Sequence, residues 1–317
     1  MASMSDDLAD ALFKKKFLTS QDIKTPQLVR PNADLATGEP FGRFQILKDL
    51  GEGGLGRVVL AVDTLRGERV ALKLLKRGLP DDFLRFAREA RLAKELSHPN
   101  IVPILDSGQV GDQPYIAMAY VDGPTMRDHA PAMAQRIEVA VSVARALGHA
   151  HRCGIVHLDV KPENVLVDQD GEPRLTDFSL ARHFGSETRH ITREGMIAGT
   201  VFFMSPEQVG AQRDLGPQSD VFSLGATLYY YFTRTIPFPG SRAEEIFSKI
   251  ESTAPAPPRT IEPSIPQSVE AVILCAMEKE PAKRYQHGSE MADDLARARD
   301  FKEPKGFVAW LRRMLGG

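Results

Sequence analysis

The chain has 317 residues, of which 42% are hydrophobic and 26% charged. This length suits two lobes or domains better than one core, and the composition excludes wholesale disorder, a collagen-like repeat and a coiled-coil rod. The formal net charge of −2 gives no electrostatic reason to expect a nucleic-acid binder. The two cysteines, Cys153 and Cys275, lie far apart, which excludes a disulfide framework and favours a reducing cytoplasm.

The first 40 residues are predicted to form an N-terminal extension. Ser5 is placed to cap a short helix over 5–19, and Asp6 and Asp7 in its first turn suit the helix dipole. The stretch 25–40 is rich in Pro, Asn, Thr and Gly and is predicted to be a linker.

Two lobes are predicted after this extension. Over 41–121, short runs rich in Val, Ile and Leu and bounded by Gly or Asp predict antiparallel strands, with one helix opening at Asp81. Over 122–300 helical periodicity prevails, and SDVFSLGATLYYYF is apolar nearly all round, as expected for a central helix. The longest apolar run of the sequence, 222–232, is shorter than the roughly 20 residues that a helix needs to cross a bilayer. The predicted fold class is α+β.

A glycine-rich segment begins at residue 51 with the pattern GxGxxGxV. Such a pattern alone also occurs in dinucleotide-binding folds, but there a helix follows the glycines. Here strand residues follow, so the segment is predicted to be a hairpin whose backbone closes over phosphates.

Lys73 lies in the middle of the apolar strand VALK. An unpaired ammonium is costly to bury, so a phosphate and a carboxylate are its natural partners. Glu89 is the candidate carboxylate, although its own context, REARLAKE, taken alone favours a solvated helix face.

The strongest chemical signal is HLDVKPENVL at 157–166, followed by DFS at 177–179. Asp159 is suited to accept a proton from an attacking hydroxyl, and Lys161 to offset charge on a transferring group. Asn164 and Asp177 supply the oxygen ligands that Mg²⁺ prefers.

With these motifs in this order, followed by MSPE and SDVFSLG, the chain resembles the eukaryotic-like (Hanks-type) serine/threonine protein kinases of bacteria. The resemblance covers about 41–299. It implies the two-lobed protein kinase fold and a signalling transferase that moves the γ-phosphoryl group of ATP to a Ser or Thr hydroxyl of a protein substrate. It also implies Mg²⁺ as the metal, with Mn²⁺ as the second candidate.

The resemblance implies a role for each matching position. Asp159, as base, Lys161 and Lys73 form the catalytic set, and Asn164 and Asp177 bind the metal. The nucleotide-binding set is Gly51, Gly53, Gly56, Val58, Ala71, Lys73, Glu89, Met118 as gatekeeper, Tyr120 and Val121 at the hinge, and Leu166. Glu207 is implied to pair with Arg284, and Asp220 to brace the catalytic loop. Lys161 together with Thr200 is typical of serine/threonine specificity.

Two positions depart from the family pattern. Leu158 replaces the usual arginine, which weakens the cationic pocket for a phosphorylated loop, so activity is expected without phosphorylation of Ser186, Thr188 and Thr192. Ser179 replaces a glycine and is expected to restrict movement of Asp177.

Two other classes of function stay open at this point. The first is a pseudokinase scaffold that binds nucleotide or partners without phosphoryl transfer, and the second, weaker, is a small-molecule kinase. The tail, 301–317, has an amphipathic pattern over 306–317 that suits docking on the larger lobe, a membrane surface or a partner protein.

Overall fold

The computed structural model describes residues 38–52, 56–75, 90–178, 181–183, 200–212 and 214–300. The chain divides into two compact units. The first runs to Ser97 and takes in Val102–Tyr120, and the second consists of His98–Ile101 and the chain from Val121 onward. The predicted N-terminal helix and the C-terminal tail lie outside the described residues, so both stay predictions.

The first unit is built on a six-stranded sheet in which every neighbouring pair is antiparallel. Its spatial order is β1-β2-β3-β4-β6-β5. The strands are β1 (Pro40–Phe41), β2 (Phe44–Glu52), β3 (Gly56–Asp63), β4 (Glu68–Leu75), β5 (Ile104–Val110) and β6 (Gln113–Ala119). The sheet is consistent with the strands predicted from the Val-, Ile- and Leu-rich runs.

Side chains alternate between the two faces of β4. Val70, Leu72 and Leu74 join the larger apolar cluster of this unit, together with Phe44 and Tyr115. Leu75, on the opposite face, packs with Ile116 and with Ala90 of a helical segment at 90–95. The rest of the helix predicted from Asp81 lies outside the described residues.

The second unit is mainly helical. Its helices are α1 (Met133–Arg152), α2 (Pro206–Val209), α3 (Pro217–Thr233), α4 (Ala243–Ser252), α5 (Gln267–Ala276) and α6 (Gly288–Asp300). Short strands form two pairs, β7 (Ile155–Val156) with β10 (Arg182–His183) and β8 (Val165–Val167) with β9 (Pro173–Leu175). Helix α3 is buried along nearly its whole length, as its apolar sequence predicts.

The predicted α+β class is confirmed by the sheet of the first unit and the helices of the second. Within the described residues, no helix combines the length and the apolar character needed to span a bilayer.

Candidate active site

The glycine-rich hairpin of the first unit is held by close backbone approach. Gly51 pairs with Val58 on β3, and Val58 pairs with Lys73 on β4, so the three residues form a row across the sheet. A Cβ at Gly56 would overlap the carbonyl oxygen of Leu74, so only glycine fits there. Residues 53–55 lie outside the described part, and with them Gly53, the second glycine of the pattern.

Asp49 stabilises the same hairpin, which sequence reasoning did not anticipate. Its Oδ1 accepts the backbone N–H of Gly51 at 3.2 Å, and its Oδ2 accepts Nε of Arg57 at 2.8 Å. A carboxylate two residues before a turn often accepts backbone N–H groups in this way, so the spacing Asp49 to Gly51 was the available signal.

Lys73 is buried in β4 with 6% of its surface exposed. By strand alternation it lies on the face of Leu75, where Ala90 packs. Glu89 lies outside the described residues, so its pairing with Lys73 stays a prediction. On the same strand, Ala71 is the direct cross-strand partner of Met118.

The chain leaves the first unit just after β6. Tyr120, the last residue of that unit, has its ring under the guanidinium of Arg69, with 5.2 Å between the Arg69 Cζ atom and the ring centroid. Val121, the next residue, is buried in the second unit. Leu166 lies on β8 of the second unit, where it bridges to Thr125.

Asp159 is the centre of a buried polar cluster in the second unit, with 8% of its surface exposed. Its Oδ2 accepts hydrogen bonds from Nζ of Lys161 at 2.8 Å and Nδ2 of Asn164 at 3.0 Å. Its Oδ1 is buried and has no hydrogen-bond partner in the described structure. Buried carboxylate oxygens are nearly always paired, so this atom marks a place for a donor that the folded chain does not supply.

The surroundings of Asp159 raise the pKa of its carboxyl group above the ordinary value. Burial is the largest cause, the charge and hydrogen bond of Lys161 oppose it, and the nearby carboxylate of Asp177 adds to the increase. Two nearby carboxylates repel one another when both are ionised, so a cation between or beside them is favoured.

Asn164 and Asp177 are brought together by the hairpin of β8 and β9. Val165 pairs with Leu175, and the N–H of Thr176 donates to the carbonyl of Asn164 at 2.9 Å. The amide nitrogen of Asn164 donates to the backbone oxygen and Oδ2 of Asp159, which leaves its Oδ1 oxygen for another partner.

The amide oxygen of Asn164 and the carboxylate of Asp177 fit Mg²⁺ better than an ion that takes all of its ligands from the protein. Within the described residues, no group of three or more His, Cys, Asp or Glu side chains could hold a metal ion. Mg²⁺ is commonly held by one or two protein oxygen ligands together with substrate phosphates, which matches one amide and one carboxylate.

Asp220 braces the loop that carries Asp159, and the predicted brace is confirmed. This fully buried carboxylate of α3 accepts the backbone N–H groups of His157 and Leu158, both at 2.7 Å. It also lies 3.0 Å from Nε2 of His151. Sequence reasoning missed His151, because its buried position on α1 gives no sign of its partner.

The aromatic ring of His157 links this loop to the residues after β9. The ring centroids of His157 and Phe178 lie 4.5 Å apart, and Nε2 of His157 lies 3.0 Å from the carbonyl oxygen of Thr176. Asp177, between them, has a φ of +62°, a conformation uncommon outside glycine. Ser179 lies outside the described residues, so its predicted effect on Asp177 is untested.

The predicted pair of Glu207 and Arg284 is also confirmed. Two hydrogen bonds of 2.7 and 3.0 Å join the guanidinium to the carboxylate, and both side chains are buried. Burial raises the pKa of Glu207, but the hydrogen bond and charge of Arg284 outweigh it, so the pKa lies below its ordinary value. The pair ties α2 to the segment before α6.

Comparison with known proteins agrees with this arrangement. The protein kinase domain family matches residues 44–295, and the chain belongs to that family. It is 39% identical over 269 residues to the serine/threonine-protein kinase PrkC of Bacillus subtilis, covering 82% of this chain and 41% of PrkC. It is 36% identical over 275 residues to PknB of Mycobacterium tuberculosis, covering 83% of this chain and 44% of PknB.

A solved structure supports the fold. The crystal structure of the PknI kinase domain of Mycobacterium tuberculosis superposes with a TM-score of 0.64 and 27% identity, covering 84% of this chain and 99% of that one. The kinase-like fold predicted from the motifs is therefore confirmed, as is the resemblance to bacterial serine/threonine kinases. The chain spans about two fifths of the length of the PrkC and PknB relatives.

Proposed function

We propose that the protein is an ATP- and Mg²⁺-dependent serine/threonine protein kinase that acts in bacterial signalling in the cytoplasm. The observation that carries the proposal is the buried, unpartnered Oδ1 of Asp159 beside Lys161 and Asn164. A general base needs an acceptor atom that is fixed in direction and free to take a proton.

The first unit would bind the nucleotide. Gly51, Gly53, Gly56 and Val58 would form the hairpin over the phosphates, and Lys73 would hold the α- and β-phosphates. The burial of Lys73 on an otherwise apolar strand supports this role, because a buried ammonium calls for anionic partners. Glu89 would be its carboxylate partner, which is compatible with the packing of the next residue, Ala90, on the same sheet face.

The adenine base would be held by apolar side chains and backbone groups. Ala71 and Leu166 would contact its two faces, Met118 would be the gatekeeper, and Tyr120 and Val121 would offer backbone hydrogen bonds. The cross-strand pairing of Ala71 with Met118 supports the role of Ala71 at the adenine, since it puts Ala71 beside the proposed gatekeeper.

Asp159 would take the proton of the substrate hydroxyl. Lys161 and Asn164 occupy its Oδ2, so Oδ1 is the oxygen that remains to accept that proton. The hydroxyl oxygen bonds to the γ-phosphorus while the bond from that phosphorus to the bridging oxygen breaks, leaving ADP. Lys161 would offset negative charge on the transferring group, so catalysis rests on alignment and electrostatics.

Asn164 and Asp177 would hold Mg²⁺, or Mn²⁺, through oxygen atoms. When bound, the ion would neutralise charge on the phosphates. The amide nitrogen of Asn164 donates hydrogen bonds to Asp159. These bonds support the assignment, because they turn the amide oxygen of Asn164 away from Asp159. The serine/threonine preference is supported by Lys161, by Thr200 and by the names of the relatives.

A phosphoryl-transfer assay tests the proposal. Purified protein with radiolabelled ATP, Mg²⁺ and generic protein substrates is expected to label serine or threonine. Asp159→Asn should lower transfer by about 10²–10⁴-fold, the usual contribution of a general base, while ATP binding persists. Asp170→Asn, the same change at an exposed residue between β8 and β9, is the matched control and should match the parent. A parent that binds ATP but transfers nothing would favour the scaffold alternative.

A further inference from the structure

The side chain of Gln208 joins three segments of the second unit. It is the third residue of α2 and only 6% of its surface is exposed. Its Oε1 accepts the backbone N–H of Ser205 at 2.9 Å and lies 3.5 Å from the hydroxyl of Ser223. Its Nε2 donates to the carbonyl oxygen of Leu158 at 2.8 Å. One end of this amide therefore holds the start of α2, and the other holds the residue before Asp159.

Leu158 has a backbone conformation that its surroundings must maintain. Its φ is +64°, in a region that bulky residues rarely adopt and that persists only where several contacts fix it. Its N–H donates to Asp220 and its carbonyl accepts from Gln208, so both polar groups of the residue are held. Its side chain packs with Val156 and Leu215. These contacts together set the direction in which the chain enters Asp159.

We propose that Gln208 is a positioning residue for phosphoryl transfer, acting through Leu158 on the carboxylate of Asp159. The inference rests on the proposed kinase function. Without the Gln208 donor, the buried carbonyl of Leu158 loses its partner, and the peptide between Leu158 and Asp159 is held only by the weaker hydrogen bond of 3.2 Å from the N–H of Asp159 to Nδ1 of His157. Oδ1 of Asp159 then leaves its productive direction. Because Gln208 directly follows MSPE in α2, it joins the start of that helix to the catalytic loop.

The effect should fall on the chemical step and not on nucleotide binding. The described hydrogen bond from the amide nitrogen of Gln208 goes to the carbonyl of Leu158. Its amide oxygen contacts Ser205 and Ser223, and neither serine has an assigned role in nucleotide binding. A displacement of about 1 Å at a reacting group can cost on the order of 10²-fold in rate.

Three variants separate positioning from helix capping. Gln208→Glu keeps an acceptor for the N–H of Ser205 but removes the donor to Leu158, and Gln208→Met removes both. Ser205→Ala removes the hydroxyl that accepts the N–H of Gln208 at 3.3 Å and leaves the Leu158 bond intact. Measurements are kcat, KM for ATP, melting temperature and hydrogen exchange at the amides of Leu158 and Asp159.

Both Gln208 variants are expected to lose about 10- to 100-fold in kcat with KM for ATP within about twofold of the parent. The amide of Asp159, which shares a peptide group with the Leu158 carbonyl, should exchange faster in both, and Ser205→Ala should keep the parental kcat. Parental kcat in both Gln208 variants overturns the inference, as does an equal loss in Ser205→Ala. A parent protein that transfers no phosphate overturns the proposed function itself, and the inference with it.

Discussion

The ammonium of Lys161 lies 2.8 Å from Oδ2 of Asp159, the residue two positions before it. This contact fixes one carboxylate oxygen and leaves the other, Oδ1, without a partner in the described structure. The charge of Lys161 also opposes the increase in the Asp159 pKa that burial causes. One side chain therefore both orients the proposed base and favours its ionised form.

Lys161→Met should lower kcat by about 10²-fold, because the variant loses this orientation and the positive charge near the transferring group. Steady-state phosphoryl transfer at saturating ATP measures the effect. Lys283→Met is the matched control, since Lys283 is an exposed lysine whose ammonium donates a hydrogen bond to the carboxylate of Glu280, three residues before it. Equal kcat values in the two variants would contradict the role of Lys161.

Leu158→Arg should destabilise the protein by about 3–5 kcal/mol, although arginine is the usual family residue there. Leu158 is 4% exposed and packs with Val156 and Leu215, so an arginine would bring an unpaired charge into an apolar cluster. Urea unfolding measures the change, and Leu158→Met, of similar volume, should cost less than about 1.5 kcal/mol. An arginine variant as stable as the parent would show that the charge finds a partner.

The pair of Glu207 and Arg284 should make stability depend on pH in the acid range. The folded pKa of Glu207 lies below the ordinary value of 4.5, so the folded state binds fewer protons there than the unfolded state. The contribution of the carboxylate is therefore complete above about pH 4.5 and is lost as pH falls through the folded pKa.

Glu207→Gln should lower the free energy of unfolding by about 3–5 kcal/mol at pH 7, because it leaves the buried guanidinium of Arg284 without an anion. Urea titrations at several pH values should show this difference shrinking as pH falls below about 4.5. A difference that stays constant down to acid pH would mean that the pair does not set the Glu207 pKa.

The sequence predicted those parts of the site whose residues are close together or belong to a motif. Asp159, Lys161 and Asn164 lie within six residues, so their cluster needed only the local turn at Pro162–Asn164. The contact of Gln208 with Leu158 spans 50 residues, and that of His151 with Asp220 spans 69. Neither pair has a periodicity or spacing that marks it, because such contacts arise only when helices and loops pack.

Lys279 shows the same limit of sequence reasoning and gives a further prediction. Its Nζ donates to the carbonyl of Ile250 at 2.7 Å and lies 4.1 Å from the ring centroid of Phe238. Burial lowers the pKa of this ammonium to about 8, and the positive charge of Arg284 acts in the same direction. The aromatic ring favours the charged form, so Phe238→Leu should lower the pKa further.

NMR titration of dimethylated lysines should show one resonance with a midpoint near pH 8, absent from Lys279→Met and unchanged in the exposed-site control Lys48→Met. Between about pH 8 and 10.5 the unfolded state binds more protons at this position than the folded state, so the parent should gain stability relative to Lys279→Met as pH rises. If every lysine titrates near its ordinary value, Lys279 is better solvated than its contacts indicate, and the relative gain should vanish as well.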